Sequence, residues 1–539
     1  MIFSKFKIWE WILLGIFAFK FIITANFIFV GSISVFNSDA AKYNLLVREQ
    51  LYSRQFFPSE WIYGNDIQIL SINFPMLLLS PLIENALFLR SFSVFLFTIL
   101  LLCVLYLYSR YVFKDKSFLV FGGIIFTGFS TVWLDMMFVN AHYLPMAIFT
   151  LVSFLCLSLS VDENFTINKK FMAVSCALLI LQIAGGPRTL GTLVLPLSAA
   201  FTMVYILDNI DATRKTIYSH MNRWLIWGFL IFAATIIGFI FFRRITTISN
   251  MNDGLSSPVL HSANDIELIA HAFRSMLGGM WLLFGAEQRV SLFSHNGVIS
   301  LMRIMSSLLI VIIFPMLLTL KYKNESLIIK RLIIFSWTKF AVISIIFIFT
   351  NVTYNVHSIR YFIVPVILKI MLSGYYIYKH LLLNKLLIFA VSISILIFFL
   401  LISVPSEINR ANNTVMPNTA ISSELAQALH QRGLKMGYAS WWYASVNTIL
   451  SNFNPEIAPI MWIAPTCQRI TPMEFITSSR VYQQDFHAGY SFLLLTHNEF
   501  DVFSNNQALQ MVMGEPMEIF TYDRFYIIVY DYNISETFH

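Results

Sequence analysis

The sequence predicts an α-helical polytopic membrane protein with a small α/β domain outside the membrane. Of its 539 residues, 57% are hydrophobic and only 12% are charged, and the mean hydropathy is +0.70. In a soluble globular protein roughly a quarter of the residues are charged. This chain has too few charged residues to cover itself with a polar surface. Long apolar stretches fill the chain up to residue 405, and shorter apolar runs alternate with polar ones after it. These two patterns predict a membrane part and a separate tail.

The membrane part contains about eleven stretches long enough to span a bilayer, since a helix needs about 20 apolar residues to cross roughly 30 Å of hydrocarbon. They are 8–33, 87–109, 118–134, 142–160, 171–187, 189–207, 224–242, 298–320, 332–350, 358–378 and 386–404. We expect the first stretch to be retained rather than cleaved as a signal peptide, because it is too long and no small-residue cleavage site precedes Asp39.

The loops between these stretches alternate in basic character, which predicts their side of the membrane. One set carries most of the lysines and arginines, and it should be cytoplasmic together with the N-terminus. Its members are Lys5, Lys7, Arg110, Lys114, Lys116, Lys169, Lys170, Arg214, Lys215, Arg223, Lys321, Lys323, Lys330, Arg331, Lys379 and Lys385. The short connections that alternate with this set lie around 135–141, 185–189 and 351–357. Arg188 is their only lysine or arginine. They should face outward, as should the Asp39 loop and the tail.

The predicted domain organisation is a membrane domain over 1–405 and an extracytoplasmic α/β domain over 406–539. The membrane domain has two long outer loops, 34–86 and 243–297, which are rich in charged and aromatic residues. The tail has a helix pattern before Gly433 and turn residues between short apolar runs. Its expected strands and helices are 434–439, 443–450, 457–463, 491–495, 507–513, 517–522 and 525–530.

Several function classes are disfavoured by the sequence. The net charge of +7 comes from short basic clusters between spans and not from a long basic run with interleaved aromatics, so nucleic acid is not an expected partner. Cys467 is the only cysteine outside the predicted spans, and the four cysteines form no disulfide framework or metal motif. No Gly-rich phosphate loop or cofactor fingerprint is present. We therefore expect neither a soluble nucleotide donor nor a redox cofactor.

A family resemblance rests on the outer face. It is carried by Asp39 in the first outer loop, by a large outer loop in the second half, and by the string His357-Ser358-Ile359-Arg360-Tyr361-Phe362-Ile363-Val364-Pro365. With the tail phrases 437–442 and 526–531, these features resemble the GT-C superfamily of membrane glycosyltransferases, in the branch of protein O-mannosyltransferases and aminoarabinose transferases. One departure is that many relatives have two adjacent acids where this chain has Asp39 and Ala40.

The resemblance implies transfer of a sugar from a polyprenyl-phosphate-linked donor to an envelope glycan, lipid or protein acceptor, usually with inversion. It implies a bacterial inner membrane, a periplasmic tail, membrane lipid as a partner and an envelope product such as lipopolysaccharide. Asp39 is the candidate catalytic base, because a carboxylate within reach can take the acceptor proton. Arg360, then Arg188, are candidates for the departing phosphate, which an arginine fork binds bidentately. Lys42 is a third candidate for this phosphate.

Each assignment has a structural alternative. Asp39 could be a helix cap or an interfacial carboxylate without a chemical role. Arg360 could extend from its span to the membrane interface. Lys42 could be a surface lysine. The remaining site candidates, for substrate or metal contacts, are His142, His357, Asp135 and Tyr361. No cofactor is certain. A divalent metal is an alternative, with both histidines and Asp39 as its ligands.

Two other functions remain open from the sequence. An O-antigen or polysaccharide polymerase or ligase also joins lipid-linked sugars outside, and it would place its catalytic cluster in the late outer loop. A lipid or glycan transporter would place charges along a path through the spans, and the spans of this sequence carry few charges.

Overall fold

The structure is a computed structural model that describes most of the chain. The described residues are 7–64, 66–67, 69–127, 130–162, 166–209, 214–251, 265–286, 291, 293–350, 356–381, 417–461, 463–464 and 466–538.

Helices form most of the membrane part, up to residue 381. They are α1 (Ile8–Phe29), α2 (Ser38–Ser53), α3 (Asn73–Leu79), α4 (Ala86–Tyr108), α5 (Phe118–Ile125), α6 (Thr131–Leu134), α7 (Tyr143–Ser160), α8 (Lys169–Ala184), α9 (Leu195–Asn209), α10 (Arg214–Ile248), α11 (Ile266–Leu283), α12 (His295–Leu308), α13 (Phe314–Leu320), α14 (Leu327–Phe349) and α15 (Ile363–Tyr376). Wider π-helical turns occur at Ser109–Phe113, Asp135–Val139, Leu190–Val194, Leu309–Ile313 and Ile377–Leu381, and 3₁₀ turns at Gly31–Val35, Tyr322–Asn324 and Val356–Phe362.

Eight helical segments within the described residues are long and apolar enough to cross a membrane. They are Ile8–Phe29, Ala86–Phe113, Tyr143–Ser160, Leu190–Asp208, Trp224–Ile248, His295–Leu320, Leu327–Phe349 and Ser358–Lys379. Each overlaps one of the eleven stretches predicted from hydropathy. The prediction of a polytopic helical membrane protein is therefore confirmed.

The three other predicted stretches differ from a full span or cannot be compared. The stretch 118–134 is not one helix, because α5 ends at Ile125 and the Ser130 hydroxyl caps a new short helix, accepting from Trp133 N–H at 3.1 Å. Hydropathy averages over such a break. The stretch 171–187 corresponds to α8, which has 16 residues. The stretch 386–404 lies outside the described residues.

The packed interior of the membrane part holds basic side chains as well as apolar ones. Lys20, Arg331, Lys339 and Lys369 lie within spans and are almost fully buried, which is more intramembrane charge than the sequence suggested. Arg331 donates hydrogen bonds to the backbone carbonyls of Ser158 and Val161 at 3.1 and 2.8 Å. These hydrogen bonds to the backbone of a neighbouring segment offset part of the cost of burying its guanidinium.

The tail forms a five-stranded mixed sheet. Its strands are β3 (Met436–Ser440), β4 (Glu456–Ile460), β6 (Ser491–Thr496), β7 (Glu518–Tyr522) and β8 (Phe525–Tyr530), in the order β4-β3-β6-β8-β7. Strand β3 pairs in parallel with β4 and β6, and β8 pairs antiparallel with β6 and β7. Apolar clusters cover both faces. The tail helices are Pro417–Gln431, Trp441–Leu450, His497–Asn505 and Gln507–Met513, with 3₁₀ turns at Ser479–Tyr482, Gln484–Phe486 and Ile534–Thr537. This arrangement confirms the small α/β region.

A second, small sheet joins three distant parts of the chain. Its strands are β1 (Trp61–Tyr63), β2 (Asn250–Met251) and β5 (Thr477–Ser478), in the order β2-β1-β5. They come from the first predicted outer loop, the second predicted outer loop and the tail. Backbone pairing at hydrogen-bonding distance requires these three segments to share one side of the protein. The domain limits 1–405 and 406–539 stay a prediction, because 382–416 are not described.

Candidate active site

Helix α2 presents two charged residues of the first outer loop on one side. Asn37 caps the helix, with its side-chain oxygen accepting from the Ala40 N–H at 3.0 Å. Ala40 and Ala41 are fully buried and fix the inward face. Asp39 and Lys42 are three positions apart, so they are neighbours on the helix surface, and both are half-buried. The cap is Asn37, so Asp39 does not serve as one.

The carboxylate of Asp39 lies among charges from other parts of the chain. It interacts electrostatically with Lys42, with Arg360 and with Asp135. None of the hydrogen bonds and ion pairs found within the described residues involves its side chain. A half-exposed carboxylate in this position can accept a proton from an incoming hydroxyl group. Its place in the first turn of α2 also suits the helix dipole.

Asp135 is held rigidly beside the start of α2. It follows α6 at the first position of a π-helical turn. Its carboxylate accepts hydrogen bonds from the amide of Asn37 at 3.1 Å and from the amide of Asn140 at 3.2 Å. Burial raises the pKa of Asp135 to about 6, against the Asn37 hydrogen bond, which lowers it. Asp135 is therefore suited to orient α2 more than to react.

The turn between α8 and the Leu190–Val194 segment brings Arg188 to the same site. Its Nη1 lies 3.2 Å from Oδ2 of Asp66, and its guanidinium is 5.7 Å from the ring centre of Tyr361. Asp66 raises the pKa of Arg188. A Cβ on Gly186 would be 2.6 Å from Oδ1 of Asp66, so only glycine permits this approach.

The residues around Arg360 complete the charged cluster. Arg360 stands at the start of the Ser358–Lys379 span and interacts with Tyr143, Tyr361 and Asp39. Next to it, Nδ1 of His142 is 3.5 Å from the Tyr43 hydroxyl. Burial lowers the pKa of His142, and nearby Lys42, Arg188 and Arg360 lower it further. The imidazole is thus neutral at neutral pH.

A further cation, Arg90 of α4, lies beneath α2. It is 2% exposed, and its Nε donates to the backbone carbonyl of Ala40 at 3.3 Å. Its guanidinium packs 5.4 Å from the ring centre of Phe36. Arg90 thus supports the first turn of α2 and adds positive charge under the site.

An open cavity adjoins the cluster, with about 680 Å³ of empty space that includes solvent at its mouth. Asp66, His142, Gln182 and Arg188 are among its polar lining residues. Its walls are mostly apolar and come from α7, α8 and neighbouring segments, namely Ile69, Leu70, Met146, Phe149, Leu181 and Leu193. Asp66 connects cavity and cluster, because it lines the cavity and also interacts with Lys42. A ligand with an anionic head and an apolar chain matches this polarity.

The structure brings most of the predicted site residues together. Asp39, Lys42, Asp135, His142, Arg188, Arg360 and Tyr361 share one network of electrostatic and ring contacts. The side chain of His357 is not among those described. No group of three His, Cys, Asp or Glu side chains in the described residues could hold a metal ion, so a site using His357 stays an untested prediction.

Sequence reasoning missed several members of the cluster. All of the following interact with predicted residues: Asp66, Arg90, Tyr43, Tyr143 and Asn37. Asn37 had a usable signal, because an asparagine before a helix is a preferred cap. Arg90 had another, because an arginine inside a span marks a partner or a site. Asp66 had no local signal, since its partner is far along the chain.

The fold of this chain is similar to that of a protein of known structure. No family model matches the chain, and no curated protein matches it. A crystal structure of ArnT from Cupriavidus metallidurans, bound to undecaprenyl phosphate, is similar with a TM-score of 0.54, covering 97% of this chain and 98% of that one at 11% identity. The chain has the ArnT fold. The expected likeness to a GT-C aminoarabinose transferase is thus confirmed as a fold, and the protein is an integral membrane protein.

Proposed function

We propose that this protein transfers a sugar from a polyprenyl-phosphate-linked donor to an envelope glycan, lipid or protein acceptor at the outer face of the membrane. The observation that carries the proposal is a cavity with mostly apolar walls and Arg188 in its lining, beside the charged cluster that contains Asp39, Lys42 and Arg360. The ArnT fold supports the proposal, because the ArnT structure contains undecaprenyl phosphate.

In the proposed mechanism Asp39 takes the proton of the acceptor hydroxyl as its oxygen attacks the anomeric carbon. The carbon–oxygen bond to the phosphate breaks, and the phosphate leaves with the bonding electron pair. One displacement of this kind inverts the anomeric configuration. Lys42 and Arg360 interact electrostatically with Asp39 and place positive charge beside the reacting carboxylate.

Arg360, Arg188 and Lys42 bind the phosphate in this proposal. Its negative charge grows as the bond breaks, so fixed cations stabilise the transition state more than the ground state. The ring of Tyr361 lies next to both arginines, with its centre 5.7 Å from each guanidinium carbon, and limits how they move. The apolar walls of the cavity hold the prenyl chain.

The test is a purified-protein assay with a panel of synthetic polyprenyl-phosphate sugars and envelope acceptors. We expect release of polyprenyl phosphate together with a glycosylated acceptor whose anomeric configuration is inverted. A protein that binds undecaprenyl phosphate but cleaves none of the donors, while moving a labelled lipid between leaflets, would contradict the proposal and favour transport.

A further inference from the structure

We propose that the tail acts as a clamp that positions Asp39, through two crossed ion pairs at the far end of α2. This inference rests on the proposed function, and it gives the tail a part in the reaction. It names Arg48, Glu49, Glu456 and Arg480 as positioning residues. None of them is part of the charged cluster around Asp39.

Helix α2 connects the reacting end to the tail. Its 16 residues extend about 24 Å at 1.5 Å per residue. Asp39 is in its first turn, and Arg48 and Glu49 are in its last turns. A hydrogen-bonded helix of this length moves as a unit, so a shift at one end displaces the other.

Two ion pairs join that far end to the tail. In one pair the arginine is on α2, and in the other it is in the tail. Nη2 of Arg48 is 2.8 Å from Oε2 of Glu456, at the start of β4. Nη2 of Arg480 is 3.2 Å from Oε2 of Glu49, and its Nε also donates to this oxygen at 3.4 Å. The side chain of Glu49 is 3% exposed and that of Arg480 is 15% exposed. Removing one partner would leave a buried charge without compensation.

The crossed arrangement fixes the register of the helix against the tail. Arg48 and Glu49 are adjacent on α2 and have opposite charges, and each faces a tail residue of the opposite sign. All four charges interact, since Glu456 is attracted by both arginines and repelled by Glu49. A sliding or rotation of α2 brings like charges together. Such repulsion excludes neighbouring registers as well as stabilising the native one.

Other contacts hold the same helix to the tail. The hydroxyl of Ser38, next to Asp39, donates to the backbone carbonyl of Trp441 at 2.7 Å, and both groups are buried. Arg480 stacks 3.7 Å from the ring centre of Tyr52, and Arg48 lies 4.3 Å from that of Phe453. The tail therefore contacts α2 at both ends.

The test compares Arg480→Gln with the charge-swapped double variant E49R/R480E in the full-length protein. Two readouts are taken on each: turnover with the donor's Kd, and hydrogen exchange of the α2 amides. We expect Arg480→Gln to lower turnover by about tenfold to a hundredfold, since small misplacement of a reacting group has effects of this size. The Kd should be unchanged and α2 exchange should be faster. The double variant should recover part of the turnover, because positions 49 and 480 again carry opposite charges. Recovery should stay incomplete, because positions 48 and 49 then carry the same charge and the crossed arrangement is lost.

The matched control is Arg432→Gln. Arg432 forms an ion pair of 3.5 Å with Glu518, between two tail residues that are more exposed than Arg480 and Glu49. Equal losses in Arg432→Gln and Arg480→Gln would mean general weakening of the tail and would overturn the clamp. Unchanged turnover and exchange in Arg480→Gln would also overturn it. If the wild-type protein transfers no sugar, the proposed function fails, and the exchange rates alone decide whether the tail holds α2.

Discussion

The side chain of Asn37 links the helix that carries Asp39 to a second carboxylate. Its oxygen caps α2, and its nitrogen donates to Asp135 at 3.1 Å. Asp135 accepts a further hydrogen bond from Asn140. An ionised Asp135 satisfies both amide donors, whereas a protonated one presents a competing donor. The protonation state of Asp135 thus affects how firmly the start of α2 is held.

This relationship predicts how the rate of sugar transfer falls at acidic pH. The pKa of Asp135 is raised to about 6, so the group ionises as the pH rises through 6. We expect sugar transfer to increase over the same range, because α2 is then held through both amides. Asp135→Asn removes this titration. An acidic limb that keeps its midpoint and slope in Asp135→Asn would assign the limb to another group and contradict this prediction.

A second prediction concerns the contact between Gly186 and Asp66. In Gly186→Ala the new methyl group would lie 2.6 Å from the Asp66 carboxylate and displace it from Arg188. We expect the Kd for undecaprenyl phosphate to rise about tenfold, equivalent to about 1.4 kcal/mol, because Arg188 loses the group that orients it. Binding is measured by titration of the purified protein.

The control for this prediction is Gly15→Ala in α1, where an added Cβ meets no atom within 4 Å. Its Kd should equal that of the wild-type protein. Tighter binding by Gly186→Ala would contradict the orienting role and would mean that Asp66 competes with the phosphate for Arg188.

The geometry of Arg360 gives a third prediction. Arg360→Lys keeps the positive charge but loses the planar fork. We expect a loss of turnover of about tenfold or more, below the roughly 100- to 1,000-fold that follows loss of a whole transition-state donor. Arg110→Lys, at an exposed position beside Tyr111, is the matched substitution and should be neutral. Full activity of Arg360→Lys would leave only an interfacial role for this arginine.

The tail shows how far the sequence predicts the fold. The expected helix 507–513 and the hairpin around Asp523 agree with the structure, because local turn and periodicity signals define them. Hydropathy likewise located eight spans. It failed for 118–134, since an average over a window does not register the cap at Ser130 that begins a new helix.

The candidate site was predictable only in part. Asp39 and Arg360 follow from a family pattern, but Asp66 does not, because its approach to Arg188 depends on how two distant segments pack. The glycines before Arg188 permit a close approach but do not identify the partner. The ion pairs of α2 with the tail join residues several hundred positions apart, and no local pattern specifies such a pairing.

A fourth prediction concerns orientation. Reporters after Lys116 and after Lys323 should report the cytoplasm, and one at the C-terminus should report the outer compartment, because basic loops stay inside. The sheet β2-β1-β5 requires both long loops and the tail to share one side. A reporter in the loop at Glu84 should therefore agree with the C-terminal one. A cytoplasmic C-terminus would contradict the proposed outer site.

The most direct measurement compares wild-type protein with Asp39→Asn, and with Glu84→Gln as an exposed carboxylate of the same loop. Glycosylated product and donor-lipid binding are measured on the same purified samples. If Asp39 is the base, its amide variant should lose about 100- to 10,000-fold in turnover and still bind the donor, while Glu84→Gln keeps both. Normal turnover with intact binding in Asp39→Asn would contradict the account and remove Asp39 from the mechanism.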